Sequence, residues 1–191
     1  MISKEAIKRG YNRGNYTVGA HTRPAWATDI TRSGGAKGMQ VDPVAISEAT
    51  FDRLRVIADE VLTSEADVIS WTRDWWAGSM IAETQGAPAT SKGVIVRVST
   101  VEQIQDVMRL ASESAIPVTV SAGRSNVTGA ALPLRGGIVL DVCELNKFID
   151  FDPQSQIVEV EAGMFGDVFE QTIQKEYGMT MGHWPSSFGI S

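Results

Sequence analysis

Pro117-Val118-Thr119-Val120-Ser121-Ala122-Gly123-Arg124-Ser125-Asn126-Val127-Thr128-Gly129-Ala130-Ala131-Leu132-Pro133 is the stretch whose reading decides the fold. Its β-branched opening, after a proline that ends whatever helix precedes it, predicts a buried strand over Val118–Ser121. The small residues that follow predict a loop whose main-chain N–H groups are open to an anion, with Arg124 as a fork of further donors. Ser125, Asn126 and Thr128 add side-chain donors. A long surface loop rich in turn formers is the plainer account of the same residues.

Working backwards, Val94-Ile95-Val96-Arg97-Val98 predicts a strand, and Ser99 with Glu102 predicts a capping box at the start of a helix. Val101, Ile104, Val107, Met108 and Ala111 form the expected buried face of that helix. Strand, helix and strand within some thirty residues predict a βαβ unit with two parallel strands, and ligands gather beyond the carboxyl ends of such strands. The small-residue loop lies at one of those ends.

Working forwards, Ile138–Val142 predicts another apolar strand. Phe148–Phe151 and Ile157–Glu161, around the turn sequence Asp152-Pro153-Gln154-Ser155, predict an antiparallel hairpin. A helix with Phe165, Val168, Phe169 and Ile173 inward should follow, closed by Gly178. Gly163-Met164-Phe165-Gly166 also fits the GxxG of an RNA-binding KH loop, but the acidic helix after it opposes RNA contact. A second run of small residues, Gly182 to Ser191, ends the sequence.

Before this region, Phe51, Leu54, Ile57, Ala58, Val61 and Leu62 predict one apolar helical face from Ser47 onward. A short helix is expected from Ser64, and residues 77–92 read as a loop. Trp71, Trp75 and Trp76 are read as packing rather than as a stacking platform. Residues 1–42, with six glycines, read as an extended basic arm.

The chain has 191 residues, is 43% hydrophobic and carries a net charge of −6. Its first forty residues carry +5, so the remainder carries −11, an acidic body unsuited to nucleic acid. The single cysteine, Cys143, excludes an internal disulfide framework and fits a reducing, cytoplasmic setting. No apolar run reaches membrane-span length and no signal-peptide core follows Met1. With two histidines and one cysteine, no metal constellation is expected.

Taken in order, these segments resemble the start of the PCMH-type FAD-binding module of the vanillyl-alcohol oxidase / p-cresol methylhydroxylase flavoproteins. The likeness runs from about Ser64 to Ser191. Trp71-Thr72-Arg73-Asp74-Trp75 is similar to a Ser-Arg-Asp-Trp phrase, and Val96 to Ile104 to a "V-R-P-x-S-T-E-E-V" phrase. Ser121 to Pro133 resembles the pyrophosphate loop "R-G-A-G-T-S-L-S-G-G-A-L-P", with Arg124 in place of a glycine. Ile138 to Lys147 resembles "V-V-L-D-L-S-x-M-N-R", and Gly182 to Ser191 resembles "G-H-x-P-x-S…S-T-x-G-G".

The resemblance implies an α+β fold, with a βαβ subdomain followed by the start of an antiparallel α/β subdomain. It implies FAD held at Val120, Ser121, Ala122, Gly123, Arg124, Ser125, Asn126 and Gly129, with Ser186, Ser187 and Ser191 contacting the cofactor near its ring system. The flavin would be non-covalent as far as this chain shows, since no histidine or cysteine lies within the second loop. The implied organisation is an arm (1–42), a helical lead-in (43–88) and the first part of an FAD domain (89–191). The chain is expected to be an N-terminal portion of a longer oxidoreductase, inactive alone. That enzyme would oxidise a small hydroxylated substrate, held mainly by a cap domain, by hydride transfer to flavin. An alkyldihydroxyacetonephosphate-synthase-like transferase and a non-catalytic nucleotide-binding module are the alternatives. Expected partners are FAD and a small-molecule substrate, without nucleic acid or a membrane span; a homo-oligomer is compatible with the sequence. The catalytic residues are not legible in it.

Overall fold

The computed structural model describes residues 43–72, 74–84, 93–185 and 187–190, so the basic arm, Arg73, Ser186 and Ser191 lie outside the described residues. In chain order the elements are α1 (Glu48–Ile57), β1 (Glu60–Leu62), α2 (Glu65–Trp71), α3 (Ala77–Thr84), β2 (Val94–Arg97), α4 (Val101–Glu113), β3 (Val118–Ser121), β4 (Ile138–Asp141), β5 (Phe148–Asp152), β6 (Ile157–Val160), α5 (Gly166–Tyr177) and a 3-10 turn at Phe188–Ile190.

The expected parallel strands form, with an insertion. β2 and β3 both pair in parallel with β4, which lies between them, and β1 adds antiparallel to the outer edge of β2. Alternate residues of β2 and β4 explain the uninterrupted apolar runs. Val94, Val96, Ile138 and Leu140 pack on one side with Leu54 of α1 and with Val107, Leu110 and Ala111 of α4. Ile95 and Val139 pack on the other side against Trp71. A parallel sheet covered on both faces needs apolar residues at every position, and each such buried side chain contributes about 1.5–3 kcal/mol.

Three expectations are corrected. The helical face read through Val61 and Leu62 stops at Ile57: Ala58 turns to an extended ψ of 158° while its N–H still donates to the Leu54 carbonyl. Asp59 N–H then donates to the Arg97 carbonyl, and three residues pair with β2. The bare edge of β2 outweighs the local helical period, and Val61 still joins the side of the sheet that holds Leu54. The lead-in thus contributes a strand to the sheet as well as helices.

Residues 77–84, read as part of a loop, form α3. Gly78, taken as a breaker, stands in its first turn, where a Cβ would fall well inside van der Waals contact of the Trp76 ring.

The capping box of α4 lies one residue further on than expected. Thr100 Oγ1 accepts from Gln103 N–H at 3.2 Å, and Gln103 Oε1 accepts from Thr100 N–H at 3.1 Å. The buried face is also corrected: Val101 (53% exposed) and Met108 (46%) point outward, and Leu110 is buried with Val107 and Ala111. Gln103 Nε2 also donates to the Ile57 carbonyl at 3.0 Å and to Asp59 Oδ1 at 2.9 Å.

The hairpin and final helix are found as expected. β5 and β6 are antiparallel, and Asp152 accepts from Gln154 N–H at 2.9 Å and from Ser155 Oγ at 2.6 Å. Those bonds, the Ser155 hydroxyl first, hold the Asp152 carboxyl below its ordinary value of 3.8. Gly178 closes α5 with a φ of 65°. Tyr177 meets the rings of Phe148 and Phe151, at 5.7 and 4.3 Å between centroids, which seats the helix on the hairpin.

Candidate functional site

The carboxyl ends of the strands are level. Arg97 of β2, Asp141 of β4 and Ser121 of β3 are register partners in a row, and Glu60 of β1 stands opposite Arg97. Side-chain alternation puts this row on the Ile95–Val139 face, beside Trp71. Arg97 Nε donates to the fully buried Asp141 Oδ2 at 2.9 Å, and its Nη1 pairs with Glu60. Asp141 Oδ1 accepts from Cys143 N–H at 3.1 Å, so the cysteine is a buried residue beside an ion pair. The guanidinium carbons of Arg97 and Arg124 lie 5.1 and 4.4 Å from the Trp71 ring centroid.

The loop leaves the sheet at Ser121, whose carbonyl accepts from Val142 N–H at 3.0 Å. Ser121 is 2% exposed, and its Oγ has no hydrogen-bond partner among the described residues. A buried hydroxyl without a partner costs free energy that an incoming acceptor can remove. Gly123 and Ser125 donate no main-chain hydrogen bond to another described residue. Arg124 adopts a left-handed φ of 55°, rare for a residue with a large side chain. The expected buried strand is corrected here: β3 ends the sheet order with β4 as its one partner among the described residues. Val118 and Thr119 are therefore only half-buried, Val120 is exposed and Ser121 alone is buried, while Ala122 packs partly against the core.

Asn126 is held at both ends. Its carbonyl accepts from Trp75 N–H at 3.0 Å, and its Nδ2 donates to Asp74 Oδ2 at 2.7 Å. Gly129, with φ of 80°, lies where an added Cβ would touch the Trp76 ring and Leu132 at 3.4 Å. The tryptophans therefore pack, Trp71 on Ile95 and Val139 of the sheet and beneath Arg124, and Trp76 between Gly78 of α3 and Gly129 of the loop. Ala131, Leu132 and Pro133 return the chain to the interior.

Ser187 belongs to a different element. It sits in the turn before Phe188, whose N–H donates to the Pro185 carbonyl at 3.0 Å and whose ring lies 5.0 Å from that of Trp184. Phe188 also packs on Gly166, at the start of α5. His183 is exposed. Buried Glu170 of α5 accepts from Met181 N–H at 3.0 Å and from Gln174 Nε2 at 2.7 Å, tying residues 179–182 to the helix. Burial raises its carboxyl, but hydrogen bonds from Thr180, Met181 and Gln174 outweigh that and leave it below 4.5.

Sequence reasoning missed Arg97, Asp141 and the role of Asp74. Val-Ile-Val-Arg and Ile-Val-Leu-Asp both end an apolar run on a charge at the same offset, which is the pattern of a registered pair on adjacent strands. Asp74 between tryptophans carried no comparable signal. Among the described residues, no group of three or more His, Cys, Asp or Glu side chains could hold a metal ion, and no helix is long and apolar enough to cross a membrane.

What these ends of strands can hold is an extended anion, met by amides, one buried hydroxyl and a guanidinium on an aromatic face. Residues 93–191, just over half of the chain, match the FAD binding domain family, and the chain belongs to it. The cofactor of this domain is FAD, and its relatives include dehydrogenases and a synthase.

The chain is 38% identical over 85 residues to the flavoprotein subunit of 4-cresol dehydrogenase (hydroxylating) of Pseudomonas putida, covering 43% of this chain and 16% of that one. It is 28% identical over 83 residues to the D-lactate dehydrogenase of Anaerostipes hadrus, covering 44% and 18%. Among solved structures, alkyldihydroxyacetonephosphate synthase superposes with a TM-score of 0.68 at 22% identity, over 82% of this chain and 31% of that one. p-Cresol methylhydroxylase does so at 0.62 and 23% identity, over 79% and 30%. The fold is thus the α+β, PCMH-type one that the sequence implied. The chain spans between about a sixth and a third of the length of these proteins.

Proposed function

We propose that this chain is the cofactor-holding part of an oxidoreductase that oxidises a small hydroxylated substrate by hydride transfer to FAD, with the pyrophosphate on the Val120–Asn126 loop and Gly129. The observation that carries the placement is the buried Ser121 hydroxyl at the carboxyl end of β3, without a hydrogen-bond partner among the described residues, next to a loop whose Gly123 and Ser125 amides donate to no main-chain carbonyl of a described residue.

The donor set suits the group. Ser121 Oγ–H and successive loop amides donate to phosphate oxygens, and small side chains keep the main chain approachable. Arg124 supplies positive charge, and the Trp71 face beneath it shields one side of the guanidinium from water. The isoalloxazine of bound FAD supplies the hydride acceptor. Ser187, with Ser186 and Ser191, would contact the cofactor from the second loop, held non-covalently. The substrate and the catalytic groups would lie on the cap of the whole enzyme.

The likeness to D-lactate dehydrogenase favours a small hydroxylated substrate, whereas that to alkyldihydroxyacetonephosphate synthase favours a transferase using flavin without net oxidation. Purification of the full-length protein with the two visible flavin bands, followed by anaerobic bleaching on adding a 2-hydroxy acid, is the expected result. A colourless protein that refuses added FAD overturns the reading. Bound flavin that no hydroxylated substrate reduces turns it toward the transferase.

A further inference from the structure

The cofactor loop is held largely from outside. Within it, Asn126 Nδ2 donates to Thr128 Oγ1 at 3.3 Å, and Arg124 stands at a φ of 55°. The restraints come from a six-residue stretch far upstream. Asp74, 7% exposed, uses both carboxylate oxygens: Oδ1 accepts from Trp76 N–H at 2.9 Å, and Oδ2 from Asn126 Nδ2 at 2.7 Å. Trp75 N–H takes the Asn126 carbonyl at 3.0 Å. Trp71, seated on Ile95 and Val139 of the sheet, carries the Arg124 guanidinium 4.4 Å from its ring centroid. Sheet, tryptophan, arginine and loop therefore form one mechanical series, and Asp74 closes it from the other end.

We propose that Asp74 is a positioning residue for the cofactor loop: acting through Asn126, with Trp71 acting in parallel through Arg124, it sets the aim of the Ser121–Asn126 amides before FAD arrives. The proposal rests on that loop being the pyrophosphate site. It moves Asn126 from donor to the cofactor to link in the clamp, since both hydrogens of its Nδ2 are engaged, one by the buried Asp74 carboxylate at 2.7 Å and the other by Thr128 Oγ1 at 3.3 Å. Asp74 touches no cofactor in this scheme. Its effect on affinity must pass through Asn126, so the two residues must be coupled.

The test is a double-mutant cycle in the full-length protein, with apoprotein titrated with FAD and the thermal midpoint of each apoprotein measured beside it. Asp74→Ala and Asn126→Ala should each weaken FAD binding about tenfold or more, the usual scale for a hydrogen bond to a charged group. The double variant should be no weaker than the worse single one. Asp74→Asn keeps the size of the side chain but removes its charge and leaves one acceptor oxygen for two donors, Trp76 N–H and Asn126 Nδ2, so it should show the loss in a protein that still folds. Losses that multiply in the double variant overturn the clamp, as does a lowered thermal midpoint with unchanged affinity. Ser125→Asp places like charge in the loop itself and separates the two readings. If it weakens FAD binding while the Asp74 variants do not, the clamp alone fails. If FAD still binds and Ser125→Asp has no effect, the loop is not the site.

Discussion

The parallel sheet and the hairpin-helix unit could hardly be covered more differently. β2 and β4 are buried on both faces, with every apolar side chain of Val94–Val96 and Ile138–Leu140 at or near zero exposure. β5 and β6 leave Ile149 and Ile157 in the open, and hold α5 mainly through Tyr177 on two phenylalanines. The positions that the candidate site depends on, Arg97, Asp141, Ser121 and the loop, all hang from the first region. A binding loop needs a support that does not yield: the loop leaves the half-exposed β3, and the doubly covered β4 that β3 pairs with provides that support.

The contrast should break first under truncation. Leu140→Ala, in the parallel core, should cost about 2–5 kcal/mol in urea unfolding, whereas Ile157→Ala in the hairpin should stay within about 0.5 kcal/mol. Equal losses would mean that the hairpin is as deeply packed as the sheet.

Gly137→Ala comes next. Gly137 has a φ of 80°, and a Cβ there would collide with the Pro117 carbonyl at the start of β3. About 2–3 kcal/mol should be lost by the same measurement. A near-neutral result would show that the ends of β3 and β4 can shift.

Arg124→Glu should weaken FAD binding about tenfold or more, roughly 1.4 kcal/mol, because it sets like charge beside phosphate. Unchanged affinity would remove Arg124 from the site.

The smallest effect is one of pH and belongs to the second region. The Glu170 carboxyl is lower in the folded chain than its ordinary 4.5, so the charged form favours folding. Its contribution is present above about 4.5 and is lost as pH falls through the lower folded value. Protection of the residue 179–182 amides against hydrogen exchange, taken relative to their intrinsic rate at each pH, should therefore fall in acid, and Glu170→Gln should flatten that dependence.

Much of this was legible in the residues. Apolar runs marked β2, β3 and β4, turn chemistry marked the hairpin, and small residues marked the loop. The strand order was not, because local period carries no information on which strand slips between two others. β1 was missed because Ile57, Val61 and Leu62 satisfy a helical stripe as well as a short strand, and only the unclaimed edge of β2 decides between them. Asp74 was missed because its partner Asn126 lies 52 residues away. Such pairs are visible only once the sheet has brought them together.

The side chain of Gln103 begins α4 with its oxygen and ends α1 with its nitrogen. Fraying at the tail of one helix and at the head of the other is therefore coupled through this one side chain. A glutamate there would keep the oxygen's task and drop the nitrogen's, so the two helices would breathe independently, with β1 loosened between them.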